Sequence, residues 1–339
     1  MRKEELICSP RGDARPHIVL LGAGASRAAF PNGDRSGRPL PLMNDLVDIL
    51  GLESLLVPVR SEIDGEENFE KIYSKLDSIP EHGHLVKEIE SRIRGYFVSL
   101  EIPPETTIYD RLLLSLRPKD AVLTFNWDPF LFDSYERLRH IAPLPGIYFL
   151  HGNVRIGACK NHLGNWGRRN SKCPICFKIV DDVPLLYPVE RKDYSSNPYI
   201  KDTWDEAKML IREAFVLTVF GYGAPSSDVD AVELLKSAWF DRSDRKIEHI
   251  EVIDLACHDI LYERWKPFLP THHLKAIRCF DQSWVSMYPR RSVEALEHSV
   301  KYGRPSEQFP LMQSSVLHEV CGDALEIIGF EAEQRFDEE

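Results

Sequence analysis

The stretch from His17 to Ser26, HIVLLGAGAS, constrains this chain more than any other, because a buried apolar run breaks there into small residues. Ile18 to Leu21 have the length and branching of a buried parallel strand. Gly22 and Gly24, with Ala23 and Ala25 beside them, leave almost no side-chain bulk where the chain turns, so a ligand's phosphates can approach the backbone amides. Ser26 can cap the following helix or donate a hydrogen bond to that ligand. A tight strand-to-helix turn without a ligand is the plain alternative. The dinucleotide fingerprint GxGxxG is not met, since its third glycine falls at Arg27, and an ordinary dehydrogenase loses weight.

At 339 residues the chain exceeds one average domain, so it reads as one large α/β domain with sizeable insertions, or as two domains. No uninterrupted apolar run approaches the ~18 to 20 residues of a membrane span. Met1 to Glu5 lack the apolar core of a secretory signal, and seven cysteines show no disulfide-framework spacing. A cytoplasmic protein without membrane association is expected. The balance of 42 basic against 53 acidic residues argues against a surface built mainly to neutralise phosphates. No direct nucleic-acid binding is evident, although a local basic patch remains open.

Further strands repeat the pattern of an apolar run that ends on chemistry. Ala121 to Asp128 ends in Phe-Asn-Trp-Asp, with Asn126 and Asp128 two apart and able to share one side. Gly146 to Gly152 ends on His151, Phe215 to Gly223 on the glycine turn Gly221-Tyr222-Gly223, and Ile250 to Leu255 carries Asp254 near its end. In an open parallel sheet the carboxyl edge is where ligands bind. A lone histidine after a strand is more often structural than catalytic, and Asp254 alone reads equally as a turn residue. The glycine turn, Asn126 with Asp128, and His151 together favour a site. Ser226 to Asp230 suit a helix N-terminus, with a helix continuing to about Phe240. Pro31 to Leu42 reads as a loop over the ligand site, and Val183 to Ile200 as an irregular wall facing the substrate.

Cys159-Lys-Asn-His162 and Cys173-Pro-Ile-Cys176 are two knuckles ten residues apart. Thiolates and imidazole at this spacing read as a four-coordinate zinc site. Filled by four protein ligands, such an ion keeps no open position and is structural.

The order of these motifs resembles the sirtuin superfamily, whose pattern runs from a GAGxS turn through an Asn-x-Asp strand end, a His-Gly strand end, a two-knuckle zinc module and a later glycine turn to a ribose-binding Asn or Asp. Here these stand as Gly22 to Ser26, Phe125 to Asp128, His151, Cys159 to Cys176, Gly221 to Gly223 and Asp254. The resemblance implies a Rossmann-like parallel sheet with helices on both faces that binds NAD and cleaves its bond between nicotinamide and ribose. By this likeness Gly22, Ala23, Gly24, Ser26, Gly221, Tyr222 and Asp254 bind NAD. Asn126 holds the nicotinamide ribose and positions the water or nucleophile, Asp128 contacts the nicotinamide amide and His151 is the general base on a ribose hydroxyl. The implied division is an irregular lead-in over 1–16, a catalytic domain over 17–284 with a helical insertion at 43–116 and a zinc module at 157–180, C-terminal helices over 285–329, and an acidic tail over 330–339 expected to be disordered.

Departures separate the subfamilies. Protein-deacylating sirtuins resemble one another in a Phe-Gly-Glu segment after the zinc module, where this chain has Leu185 to Lys192, LLYPVERK. The turn GYGAPSSDVD is similar to the Gly-Tyr-Ser-x-x-Asp turn of bacterial sirtuin-like proteins of antiphage defence, whereas a retained zinc module is typical of deacylases. The reading that follows is an NAD glycohydrolase that depletes NAD in an infected cell. It would be regulated as a homo-oligomer or by a defence partner such as a hexameric DNA translocase or an Argonaute-like protein. An NAD-dependent protein deacylase is the alternative, and a non-catalytic NAD or ADP-ribose sensor is a third reading.

Overall fold

In a computed structural model of the chain, the described residues are 15–63, 66–162, 164–189, 194, 197–223, 232–233, 236, 249–266 and 274–336. Of the helix expected from Ser226 to about Phe240 only Val232, Glu233 and Lys236 are described, all helical, and the lead-in up to residue 14 lies outside the described residues.

Six short apolar segments form one parallel sheet in the order β3-β2-β1-β7-β8-β9. They are β1 His17–Leu21, β2 Ala121–Thr124, β3 Gly146–Phe149, β7 Val216–Phe220, β8 His249–Ile253 and β9 Leu274–Ile277. Every residue of β1, β2 and β7 is buried, which is why these strands read as continuous apolar runs rather than alternating ones. From β1 the chain builds outward through β2 and β3, then returns to place β7 on the other side of β1. The direction of winding reverses between β1 and β7, and a crevice opens there at the carboxyl ends of the strands. Helices flank this sheet, so the fold is the expected α/β arrangement.

The insertion between β1 and β2 is helical. Helix α1 (Ala23–Ala29) follows the first turn, and α2 (Phe69–Asp77), α3 (Gly83–Ser99) and α4 (Ile108–Leu114) carry the chain back to the sheet. Asn68 caps α2 by accepting from the Glu70 and Lys71 amides, and Thr107 with Asp110 forms a capping box on α4. The caps fix where these helices begin, and α4 in turn delivers Tyr109 to the site. Helix α5 (Phe130–Leu138) links β2 to β3. A small antiparallel sheet of β4 (Ile156–Ala158), β5 (Trp166–Arg168) and β6 (Asp181–Asp182) builds the cysteine-bearing module. Helix α6 (Pro198–Glu213) returns the chain to β7, and α7 (His258–Trp265) joins β8 to β9.

Helices α8 (Ser292–Tyr302) and α9 (Leu317–Phe336) close the chain, and here the structure corrects the sequence reading. The stretch from Phe330 was expected to be a disordered tail, yet α9 runs to Phe336. The reason is a long-range ion pair: Arg290 donates to both carboxylate oxygens of Glu331 at 3.1 and 3.0 Å, and both residues are buried. An acidic residue that composition assigns to solvent is thereby drawn into the protein.

Candidate active site

The two glycine turns interlock at the crevice. Gly22 N–H donates to Phe220 O at 2.9 Å and Gly24 N–H to Gly221 O at 3.0 Å, tying the end of β1 to the end of β7. A Cβ on Gly22 would stand 2.6 Å from Gly221 O, and one on Gly221, at φ +62°, would stand 2.1 Å from Ala25 N. These glycines are therefore required by each other's backbones as well as by any ligand. Gly22, Ala23 and Gly24 still border a cavity of about 960 Å³, together with Gly221, Tyr222 and Asp254. Asn126 and His151 border the same cavity, so eight predicted site residues meet in one place. Its size lies at the upper end of the ~300 to 1,000 Å³ usual for ligand pockets.

Ser26 corrects the reading of it as a helix cap. Gly22 occupies the N-cap position of α1 and Ser26 lies inside the helix, buried and turned toward β2. Its hydroxyl donates to Asp128 Oδ2 at 2.6 Å, accepts from Asn126 Nδ2 at 2.9 Å and bonds the Tyr109 hydroxyl at 2.7 Å. With its single proton given to the carboxylate, Ser26 accepts from Tyr109. Asn126 Nδ2 also donates to Gly22 O at 2.9 Å. Its amide nitrogen is thus committed to the protein, and what Asn126 can offer a ligand is its carbonyl oxygen. Thr124, through its hydroxyl, holds the Asn126 backbone amide at 3.0 Å and fixes the strand end that carries it.

Asp128 and Ser26 border a narrow recess of about 40 Å³ rather than the main cavity, and the recess shares Ala23, Met43, Phe125, Asn126 and Trp127 with it. Burial pushes the Asp128 carboxyl up to about 6, against the opposing pull of the Ser26 hydroxyl and the Phe130 amide. Tyr109 is fully buried; burial, and then the charge of Asp128, drive its phenol well above its ordinary range. It is a neutral donor at every relevant pH.

His151 is buried against aromatic rings, with Phe125 at 4.7 Å and Trp204 at 6.5 Å between centroids. The Tyr222 ring stacks on Phe125 at 4.3 Å. Gly152 makes this strand end possible, because at φ +77° a Cβ would meet Pro184 O at 2.0 Å. The Leu186 amide donates to His151 O at 3.0 Å, and Leu186 and Pro188 form part of the cavity wall. From the loop expected over the site, Leu42 borders the cavity, followed by Met43 and Asn44. At the far end the Asp254 carboxylate accepts from the Ala256 amide at 2.8 Å, so it is a turn residue and a cavity residue at once. Arg264 and Arg278 border the cavity beside it and were not foreseen from sequence.

The ligand atoms of Cys159, His162, Cys173 and Cys176 lie within 4.8 Å of one another. Cys159 Sγ stands 3.5 Å from His162 Nδ1 and 3.7 Å from Cys176 Sγ, and Cys173 Sγ stands 3.7 Å from His162 Nδ1. Tetrahedral sulfur ligands at ~2.3 Å from a zinc ion would be about 3.7 Å apart, so the four residues fit that ion. The Cys176 and Ile175 amides point at the Cys173 sulfur and bring its thiol down to about 6, against the upward pull of burial. A second cavity, of about 840 Å³, lies between this module and α6; of the predicted residues only Cys159 borders it. Among the described residues no helix is long and apolar enough to cross a membrane.

The sequence matches no family model and no curated protein. Among solved structures it is similar to a Sir2 homologue mutant in complex with ADP-ribose, at 14% identity over 96% of either chain with a TM-score of 0.37. It is similar also to a Sir2 homologue in complex with NAD, at 14% identity over 88% of this chain and 91% of that one, TM-score 0.39. A third structure, described as bearing on the mechanism and regulation of Sir2 enzymes, gives 14% identity over 89% of this chain and 97% of that one, TM-score 0.39. Overlaps of this size assign neither a family nor an activity to the chain; its chemistry is that of the residues it brings together.

Proposed function

We propose that the chain is a sirtuin-like NAD glycohydrolase that splits NAD into nicotinamide and ADP-ribose. The observation that carries this reading is the meeting of Asn126, His151 and both glycine turns around one cavity at the crevice, with Asp128 in a recess behind Asn126. Breaking the glycosidic bond returns its electron pair to the pyridine nitrogen, neutralises that ring and leaves an oxocarbenium-like ribose. A carbonyl oxygen held rigidly, as that of Asn126 is, can orient a water toward the cationic carbon. The water's oxygen forms the new bond, and its proton leaves to a base, for which His151 is the candidate. Asp128 would meet the departing amide in the recess.

The motif departures favour water over an acylated lysine as the acceptor. The complete four-ligand cluster favours the deacylase alternative, since that module is typical of deacylases; its zinc would hold the fold and touch no reacting atom. Depletion of NAD in antiphage defence extends the proposal through the resemblance of the Gly221 turn. Control would come from self-association or from a defence partner, with the 43–116 insertion and the C-terminal helices as candidate contact surfaces.

The test is incubation of the purified chain with NAD, following nicotinamide and ADP-ribose with and without an acyl-lysine peptide, beside Asn126→Ala and His151→Ala. Peptide-independent release that both substitutions abolish supports the hydrolase. Release that needs peptide moves the function to deacylation. Binding without turnover in the presence of every candidate partner leaves the sensor reading. For the defence role, phage challenge of cells carrying wild type or Asn126→Ala should show protection only by wild type, with NAD falling on infection.

A further inference from the structure

Charge is segregated in this chain. Residues 157–180 contain five basic residues and no acidic one, in a protein with 53 acidic and 42 basic residues. Asp181 and Asp182, which follow, take Lys160 at 3.2 Å and Arg169 at 2.7 Å. Among the described residues Lys172 and Lys178 enter no ion pair, Arg168 acts on half-buried Asp133 only through space, and all three are exposed.

The knuckle between Cys173 and Cys176 projects Lys172 and Lys178 beside apolar side chains. Lys172 and Ile179 pair across an antiparallel bridge, and the Cys173 amide donates to Lys178 O at 2.8 Å, so the segment between them forms a closed tip. Ile175, Phe177 and Ile179 are 56%, 73% and 64% exposed. Phe177 has φ +59°, a conformation that glycine adopts without strain and a bulky side chain does not. Neither the backbone nor the core calls for an aromatic residue there. On the edge strand β5, Trp166 is 43% exposed and shares a side with Arg168, two residues on, while also touching Tyr199 edge-on at 6.1 Å.

We infer that the cysteine module binds single-stranded nucleic acid, with bases stacking on Phe177 at the tip and Trp166 on β5 and phosphates meeting Lys172, Lys178 and Arg168. Flat rings beside exposed cations are what a flexible polyanion with π-faces requires. A bilayer fits less well, because Lys178 stands between Phe177 and Ile179 and would carry its charge in with the apolar tip. The inference is independent of the NAD chemistry and does not use the metal ligands.

The test is fluorescence anisotropy of the full chain with labelled 20-mers of oligodeoxyuridylate and oligouridylate, which differ only in the 2′-hydroxyl, titrated from 50 to 200 mM salt. Equal binding of both assigns the shared chemistry, and preference for one assigns the sugar. Three phosphate contacts predict a slope of log affinity against log salt of about −2, falling to about −0.7 in Lys172→Gln/Lys178→Gln. Phe177→Gly removes the ring and relaxes the backbone, so it should melt no lower than wild type while binding about tenfold more weakly. NAD turnover by that variant should match wild type. Absence of binding at 50 mM salt, affinity unchanged in Phe177→Gly, or pelleting with phosphatidylserine vesicles without oligonucleotide binding would each overturn the assignment.

Discussion

The side-chain amide of Asn126 donates at 2.9 Å to the Ser26 hydroxyl, and that hydroxyl donates at 2.6 Å to Asp128. Residues from β1's turn and β2's end are thereby locked together behind the cavity wall, and the orientation of Asn126 is set in part by a residue outside the main cavity. Ser26→Ala removes this lock while leaving Asn126 in place. The expected result is a fall in kcat of about 10- to 100-fold with KM for NAD changed little, because positioning is lost and binding surface is not. The melting temperature should also fall, by an amount matching roughly 1 to 3 kcal/mol for stranded buried partners. Wild-type kcat in this variant would remove Ser26 from the catalytic arrangement.

The interlocked glycine turns make a contrast that needs no activity assay. Gly221 and Gly303 share φ +62°, but a Cβ at Gly221 would meet Ala25 N at 2.1 Å, whereas nothing lies within 4 Å of one at Gly303. Gly303→Ala should cost about 1 kcal/mol, the price of a left-handed alanine. Gly221→Ala should cost more than roughly 3 kcal/mol, since two backbones must part. Thermal unfolding of the two variants side by side checks this, and equal losses would show that the turns yield more easily than their packing indicates.

The strand ends were legible in the sequence because each buried apolar run stops abruptly at a residue of different character: Gly22, Asn126, His151, Gly221 or Asp254. Tyr109 was not. It lies in a helix 17 residues before Asn126 in sequence, and only the docking of α4 beside α1 brings its hydroxyl to Ser26. Arg264 and Arg278 were hidden for a similar reason, since they come from α7 and the end of β9 and reach the cavity through the order of the sheet. Ser26 was read as a helix cap or a ligand contact; it is not the cap, and a hydroxyl after a glycine turn reads as one until its partners across the crevice are known. The helical course of 330–336 was missed because local composition carries no sign of Arg290.

The four-ligand cluster predicts one zinc per chain by elemental analysis and near-zero content in Cys173→Ser. Four protein ligands would leave such an ion no open position, so it is expected to stabilise the module and not the reaction. Chelation should therefore lower the melting temperature. Brief chelation below that temperature should leave NAD cleavage within about twofold of the untreated rate, as expected of an ion with no open coordination position. Equal zinc in wild type and Cys173→Ser would discard the assignment.

Asp128 makes stability and activity respond to pH in opposite directions. Its folded carboxyl titrates at about 6, above the ~3.9 of an unfolded chain, so the folded state holds this proton more tightly. The stabilisation from that proton is complete below about pH 4 and is lost as pH rises through about 6. The difference corresponds to roughly 3 kcal/mol at neutral pH. Asp128→Asn, which cannot ionise, should gain stability relative to wild type between pH 4 and 7, measured by denaturant unfolding at both. Activity should run the other way. The ionised carboxylate is what accepts the Ser26 proton and orders Asn126, so cleavage of NAD should fall as pH drops through about 6. An Asp128→Asn variant that gains no stability over wild type as pH rises would place the titrating group elsewhere.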